Sequence, residues 1–132
     1  MFASFSRYQP QLLSALRIVA GLMFIQHGAQ KIFGFPAPPM GPFNIASQMG
    51  IGGVIELVGG ALIIIGLFTR PVAFILSGMM AVAYFQFHAA TGGLFPLVNK
   101  GELAALYCWV FLYITAAGPG AWAVDNMIGK KG

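Results

Sequence analysis

Glu56 is the side chain around which any chemistry in this sequence must be organised. It stands alone in residues 50–67, a run otherwise without charge. That run is about long enough to cross a hydrocarbon core as a helix, which needs ~20 apolar residues. A carboxylate there costs roughly 2.5–3.5 kcal/mol, so it must face protein or water and find a partner. Lys31 and His27 are the candidates, because a spacing of four stacks them on one helical face. A carboxylate paired in this way and shielded from water suits proton exchange with a substrate, and Glu102, nearer the aqueous boundary, would relay those protons. His27, Tyr84, His88, Tyr107 and Trp109 are the candidate ligand-binding side chains, and Arg17 and Asp125 are candidates for a structural ion pair. No metal-binding set is apparent. Cys108 is the only cysteine, which excludes an internal disulfide, a Cys-x-x-Cys relay and a cysteine-ligated zinc site.

The elements that carry these residues are set by composition. Hydrophobic residues make up 58% of the chain and charged residues 8%, with mean hydropathy +0.82. A soluble domain carries ~25% charged residues, so this chain lacks the polar surface to stay in water and is expected in a lipid bilayer. The formal charge of +4 comes from seven scattered Lys and Arg that form no basic patch, which argues against nucleic acid. In a membrane protein such charges set topology.

Four hydrophobic segments, at about 12–33, 50–68, 71–90 and 102–117, predict a single all-α membrane domain over residues 1–132. They lack the period of two that transmembrane strands would show, so helices are the remaining way to span. Only Thr69–Arg70 separates the second from the third, which forces a hairpin, and an antiparallel four-helix bundle follows. Arg7 precedes the first segment as in a signal peptide, but Arg17 interrupts it and no small-x-small site follows, so it is expected to remain as an anchor. Four spans put both termini on one side with Arg7, Arg70, Lys130 and Lys131, against Lys31 and Lys100 on the other. The positive-inside rule then places both termini in the cytoplasm of a multi-pass bacterial inner-membrane protein.

This topology brings polar residues of all four helices to similar depth in the outer half, where they would face a cavity. Gly53, Glu56 and Gly60 share a face of the second helix, the glycines allowing close approach of a neighbour. A Glu56 pair with Lys31 or His27 could equally be a structural tie between helices one and two, since structural ion pairs also bury charge. His27 and His88 could ligate a haem, but no Cys-x-x-Cys-His motif exists and isolated histidines more often hydrogen-bond. Tyr107 and Trp109 could stack a quinone ring, although aromatics near a membrane interface are commonly anchors.

The order of these features resembles the DoxX family of small four-helix membrane proteins. The resemblance rests on Arg17, Gly21, Phe24, Gly28 and Lys31 in the first helix, then Glu56, Gly59, Gly60 and Leu62, and Gly66–Leu67 with Thr69–Arg70. Asn99–Lys100–Gly101–Glu102 is similar to the family's entry to helix four. Gly118–Pro119–Gly120 and Asp125 follow, with Ala123 where family members tend to have Ser. The resemblance implies Arg17, Lys31, Glu56, Glu102 and Asp125 as the positions of shared chemistry. It also implies association with membrane redox complexes, since the family is named for a subunit linked to thiosulfate:quinone oxidoreduction.

The leading expectation is therefore a redox-linked membrane subunit, associated with a quinone or with thiol or sulfur species. No redox centre is readable in the chain, so a membrane or peripheral partner protein would supply electrons, and a homo-oligomer is an open alternative. A non-enzymatic scaffold or assembly factor is the second reading. A small-solute or proton transporter is the third, although four helices are few for alternating access.

Overall fold

The computed structural model describes residues 1–39 and 41–129; Lys130 and Lys131, read above as topology signals, lie outside the described residues. A 3-10 turn, Phe2–Tyr8, leads into α1, Gln9–Phe33. Then come α2, Gln48–Ile65, and α3, Thr69–Ala83, which runs on through a π-helical turn, Tyr84–Ala89, and Ala90–Gly92. A short turn, Pro96–Asn99, precedes α4, Glu102–Ala117, and Val124–Met127 forms one last turn. No strand occurs among the described residues.

The helix boundaries have local causes. Pro10 sits in the first turn of α1, where a missing N–H is no loss, and Gly34 closes the helix in the left-handed region at φ 66°. The Ser47 side chain caps α2 by accepting from the Gly50 N–H at 3.0 Å. Gly66, at φ 72°, ends α2 at Ile65, and the Leu67 N–H folds back to the Leu62 carbonyl. The sequence expectation ran this helix to residue 68. It also started α3 at 71, whereas α3 starts at Thr69. The reason is distant in sequence: the Asp125 carboxylate accepts from the Phe68 and Thr69 N–H groups at 2.8 and 3.0 Å and so caps α3.

Three helical stretches, Phe2–Phe33, Gln48–Ile65 and Thr69–Gly92, are long and apolar enough to cross a membrane. The fourth, α4, is apolar but has only 16 residues. At ~1.5 Å per residue it is about 24 Å long, short of a ~30 Å hydrocarbon core. Phe24, Ile63, Leu76, Phe111 and Ile114 form the interior, while Leu16, Val19, Phe74, Ile75, Leu106 and Trp109 are exposed on the perimeter. In water such a perimeter would aggregate; against acyl chains it is at home. Helix α1 lies along α2, and α3 along α4. The first pair approaches closely at Gly28, where a Cβ would stand 2.6 Å from the Leu57 nitrogen.

Candidate functional site

Lys31, in the last turn of α1, reaches into α2 and forms an ion pair with Glu56 Oε1. Gly53, one turn before Glu56, makes room for the lysine stem: a Cβ on Gly53 would be 3.1 Å from Lys31 Cβ. Glu56 is 2% exposed and the Lys31 side chain 17%, so the pair is tucked against protein at one side only. Lys31 also borders a small hollow formed with Asn44, Ser47 and Gly50, of about 20 Å³. That is room for one water molecule.

The second carboxylate oxygen makes this more than a closed ion pair. Glu56 Oε2 is buried with no hydrogen-bond partner, and so is the hydroxyl of Tyr107 on α4. Tyr107 lies close enough to Glu56 for the carboxylate charge to act on the phenol. Its ring is fixed by Phe24 at 5.3 Å, edge-on, and by Phe111 at 5.8 Å, stacked. His27 meets the same ring edge-on at 6.2 Å. Leaving such atoms unpaired costs about 1–3 kcal/mol each, so packing alone gives no reason for the arrangement. An unpaired acceptor and an unpaired donor suit a group that is both, such as water, a hydroxyl or a thiol. Lys31 balances Glu56, so a neutral guest would meet no net charge.

Arg17 belongs to a different cluster at the other end of α1 and α2. It is 1% exposed, and its hydrogen bonds go to main-chain carbonyls. Nε donates to Ile63 O at 2.9 Å, Nη1 to Pro119 O, and Nη2 to Trp122 O at 2.6 Å. Ser14 joins in, donating to Pro119 O at 3.0 Å and accepting from the Trp122 N–H at 2.9 Å. Asp125 exerts its charge on Arg17 while it caps α3, and its own N–H donates to Gly66 O at 3.0 Å. Arg17 and Asp125, expected as an ion pair, are not paired with each other among the described residues; both belong instead to a knot that ties the chain beyond α4 to the ends of α1, α2 and α3.

The remaining sequence candidates are not gathered at Glu56. Tyr84 donates to Leu94 O at 2.5 Å and accepts from Asn99 Nδ2 at 3.1 Å, and His88 Nδ1 donates to Asn99 O at 3.2 Å. They clamp the link between the π-helical turn and α4, so His27 and His88 stand in separate clusters. Glu102 is exposed in the first turn of α4, where a carboxylate complements the helix dipole, and it makes no contact with Lys31 or Glu56. Trp109 is 69% exposed on the perimeter, so the rings packed against Tyr107 are Phe24 and Phe111 and not Trp109. Sequence reasoning took Tyr107 as a ring that could stack a quinone and missed its hydroxyl. It also missed Ser14, although its position three residues before Arg17 on one helical face was a usable signal.

Comparison with known proteins fits this geometry into a family. The family model described as DoxX matches residues 12–89, from α1 through the π-helical turn. The chain belongs to the DoxX family. An uncharacterised protein of Haemophilus influenzae is 48% identical over 129 residues, covering 95% of this chain and 96% of the relative. The inner membrane protein YqjF of Escherichia coli is 30% identical over 123 residues, covering 87% and 90%. The inner membrane protein YphA of the same organism is 27% identical over 135 residues, covering 95% and 96%. No solved structure matches the chain. With its membrane-length helices, this DoxX-family chain is a multi-pass bacterial inner-membrane protein. Arg17, Lys31 and Glu56 lie within the matched residues; Glu102, Tyr107 and Asp125 lie beyond them.

Proposed function

We propose that this chain is the membrane subunit of a redox-linked complex, in which Glu56, Lys31 and Tyr107 form a proton-exchange site. The observation that carries the reading is the pair of buried, unpartnered atoms, Glu56 Oε2 and the Tyr107 hydroxyl. Glu56 Oε2 would accept the proton of a bound hydroxyl, thiol or water, Lys31 would hold the other oxygen in place, and Tyr107 would donate a hydrogen bond to the guest. Electrons would come from a partner protein. The hollow beside Lys31 has room for one water and not for a quinone ring, which falls in a class of ligands needing several hundred Å³. A guest of that size is a water, and a quinone, thiol or sulfur species would be held outside the bundle and exchange its proton through such a water. The bundle is read as antiparallel, with both termini in the cytoplasm, because Arg7 and Arg70 stand at one end and Lys31 and Lys100 at the other.

A second reading, a non-enzymatic scaffold, is favoured by the smallness of the same hollow and by the carbonyl partners that meet Arg17. The test is to purify the chain with its partners in mild detergent and follow turnover with thiosulfate, sulfide or a soluble quinone as probes. The redox reading predicts a loss of about 10²-fold in E56Q and a smaller loss in Y107F, with the complex intact. Unaltered turnover in both variants, or an intact assembly with no redox partner, would favour the scaffold.

A further inference from the structure

At the end of the bundle away from Lys31 and Glu56, where α1 begins and α4 ends, a cavity of about 260 Å³ opens between Gln9, Leu13, Ala117, Pro119 and Asn126. The Arg70 side chain forms part of its wall. The main chain aims that guanidinium: Nη1 donates to Thr115 O at 3.1 Å and to Ala116 O at 2.5 Å. One recess thus joins a positioned cation and the Gln9 side-chain amide to the apolar faces of Leu13 and Pro119, while Asn126 spends both amide protons on Gly120 O at 2.8 Å and Ala121 O at 3.1 Å.

The depth of the recess is marked by aromatic rings. Phe2, Phe5 and Tyr8 are exposed on the turn leading into α1, with successive ring centroids 6.3 Å apart. Trp122 is exposed on the segment beyond α4. Exposed aromatics collected at one end of a spanning bundle sit at the level of the lipid headgroups. Arg7, 4.7 Å over the Tyr8 ring, brings a second positive charge to the same rim. A cationic recess at that level attracts anionic lipid, by about fivefold per basic side chain.

We infer that this recess is a binding site for the phosphate headgroup of an anionic phospholipid. Arg70 faces the phosphate, the Gln9 amide donates to its oxygens or the adjoining glycerol, and the acyl chains leave over the exposed α1 surface at Leu16. The site does not depend on the proton-exchange reading and would serve the scaffold equally well.

Native mass spectrometry tests it, on the full chain released from vesicles of equal phosphatidylglycerol and phosphatidylcholine. The expected result is one tightly held phosphatidylglycerol per chain, preferred over phosphatidylcholine by about fivefold or more. R70Q should bring the preference close to parity. Because Arg70 also holds the end of α4, a second variant decides the matter if R70Q does not fold. Q9E places a negative charge in the recess at an exposed first-turn position that favours acids. It should fold normally and also abolish the preference. Equal retention of the two lipids, a preference unchanged in folded Q9E, or displacement of phosphatidylglycerol by millimolar inorganic phosphate would overturn the proposal. The last outcome would assign the recess to a soluble anion.

Discussion

Arg17 and Glu56 are both almost wholly buried in a bundle whose perimeter is apolar, at 1% and 2% exposed, yet their surroundings follow opposite rules. Arg17 has its donors met by the carbonyls of Ile63, Pro119 and Trp122, contributed by the end of α2 and the segment beyond α4. Glu56 has one oxygen on Lys31 and the other without a hydrogen-bond partner, and the phenol hydroxyl of Tyr107 on α4 is in the same condition. A charge whose hydrogen bonds are complete is explained by the fold it holds. A buried acceptor and donor left open are not explained by stability, because each makes the folded state less favourable. The contrast sets a charge explained by the fold apart from one that the proposed function would use.

Substitutions can break this comparison at either end. The largest effect is expected for R17M, which leaves several carbonyls without donors and frees the Pro119–Trp122 segment. It should cost about 3–5 kcal/mol and sharply lower the yield of monodisperse protein, as read by size-exclusion fluorescence. D125A removes the cap of α3 and should cost about 2 kcal/mol in thermal unfolding. G28A drives a Cβ against the Leu57 nitrogen and should part α1 from α2, costing about 1–3 kcal/mol.

At the Glu56 end the signs differ. E56Q leaves the Lys31 ammonium without its counter-charge and should lower stability, whereas K31M/E56Q together should be close to neutral or mildly stabilising, as for other buried pairs replaced whole. Y107F removes a hydroxyl that has no partner and leaves no void, so it should change stability least, within about 1 kcal/mol and toward greater stability. A large destabilisation in Y107F or in the double variant would show that this cluster is a tie like the Arg17 knot, and the distinction would collapse.

The sequence made the helical segments, the buried Glu56 and a partner on the His27–Lys31 face legible, because an isolated charge in an apolar run and a spacing of four are local signals. The choice of Lys31 over His27 was not legible: it depends on which side of α1 meets Gly53, a matter of packing. Nor could the sequence place Asp125 at the head of α3, since a cap supplied from more than fifty residues away leaves no local mark. Tyr84 and His88 looked like cavity residues because their depth matched that of Glu56. The π-helical turn and the Asn99 clamp direct them elsewhere. Trp109 failed for a simpler reason: two residues along a helix turns a side chain from the Tyr107 face to the lipid.

The most direct test of the claim that Glu56 is a working acid is an infrared difference spectrum of the detergent-solubilised complex, taken between its oxidised and reduced states. The account predicts a carboxyl C=O band that appears or disappears with reduction, vanishes in E56Q and shifts in Y107F. A complex that turns over with no carboxyl band attributable to Glu56 would contradict it, and would leave Lys31–Glu56 as a second structural tie.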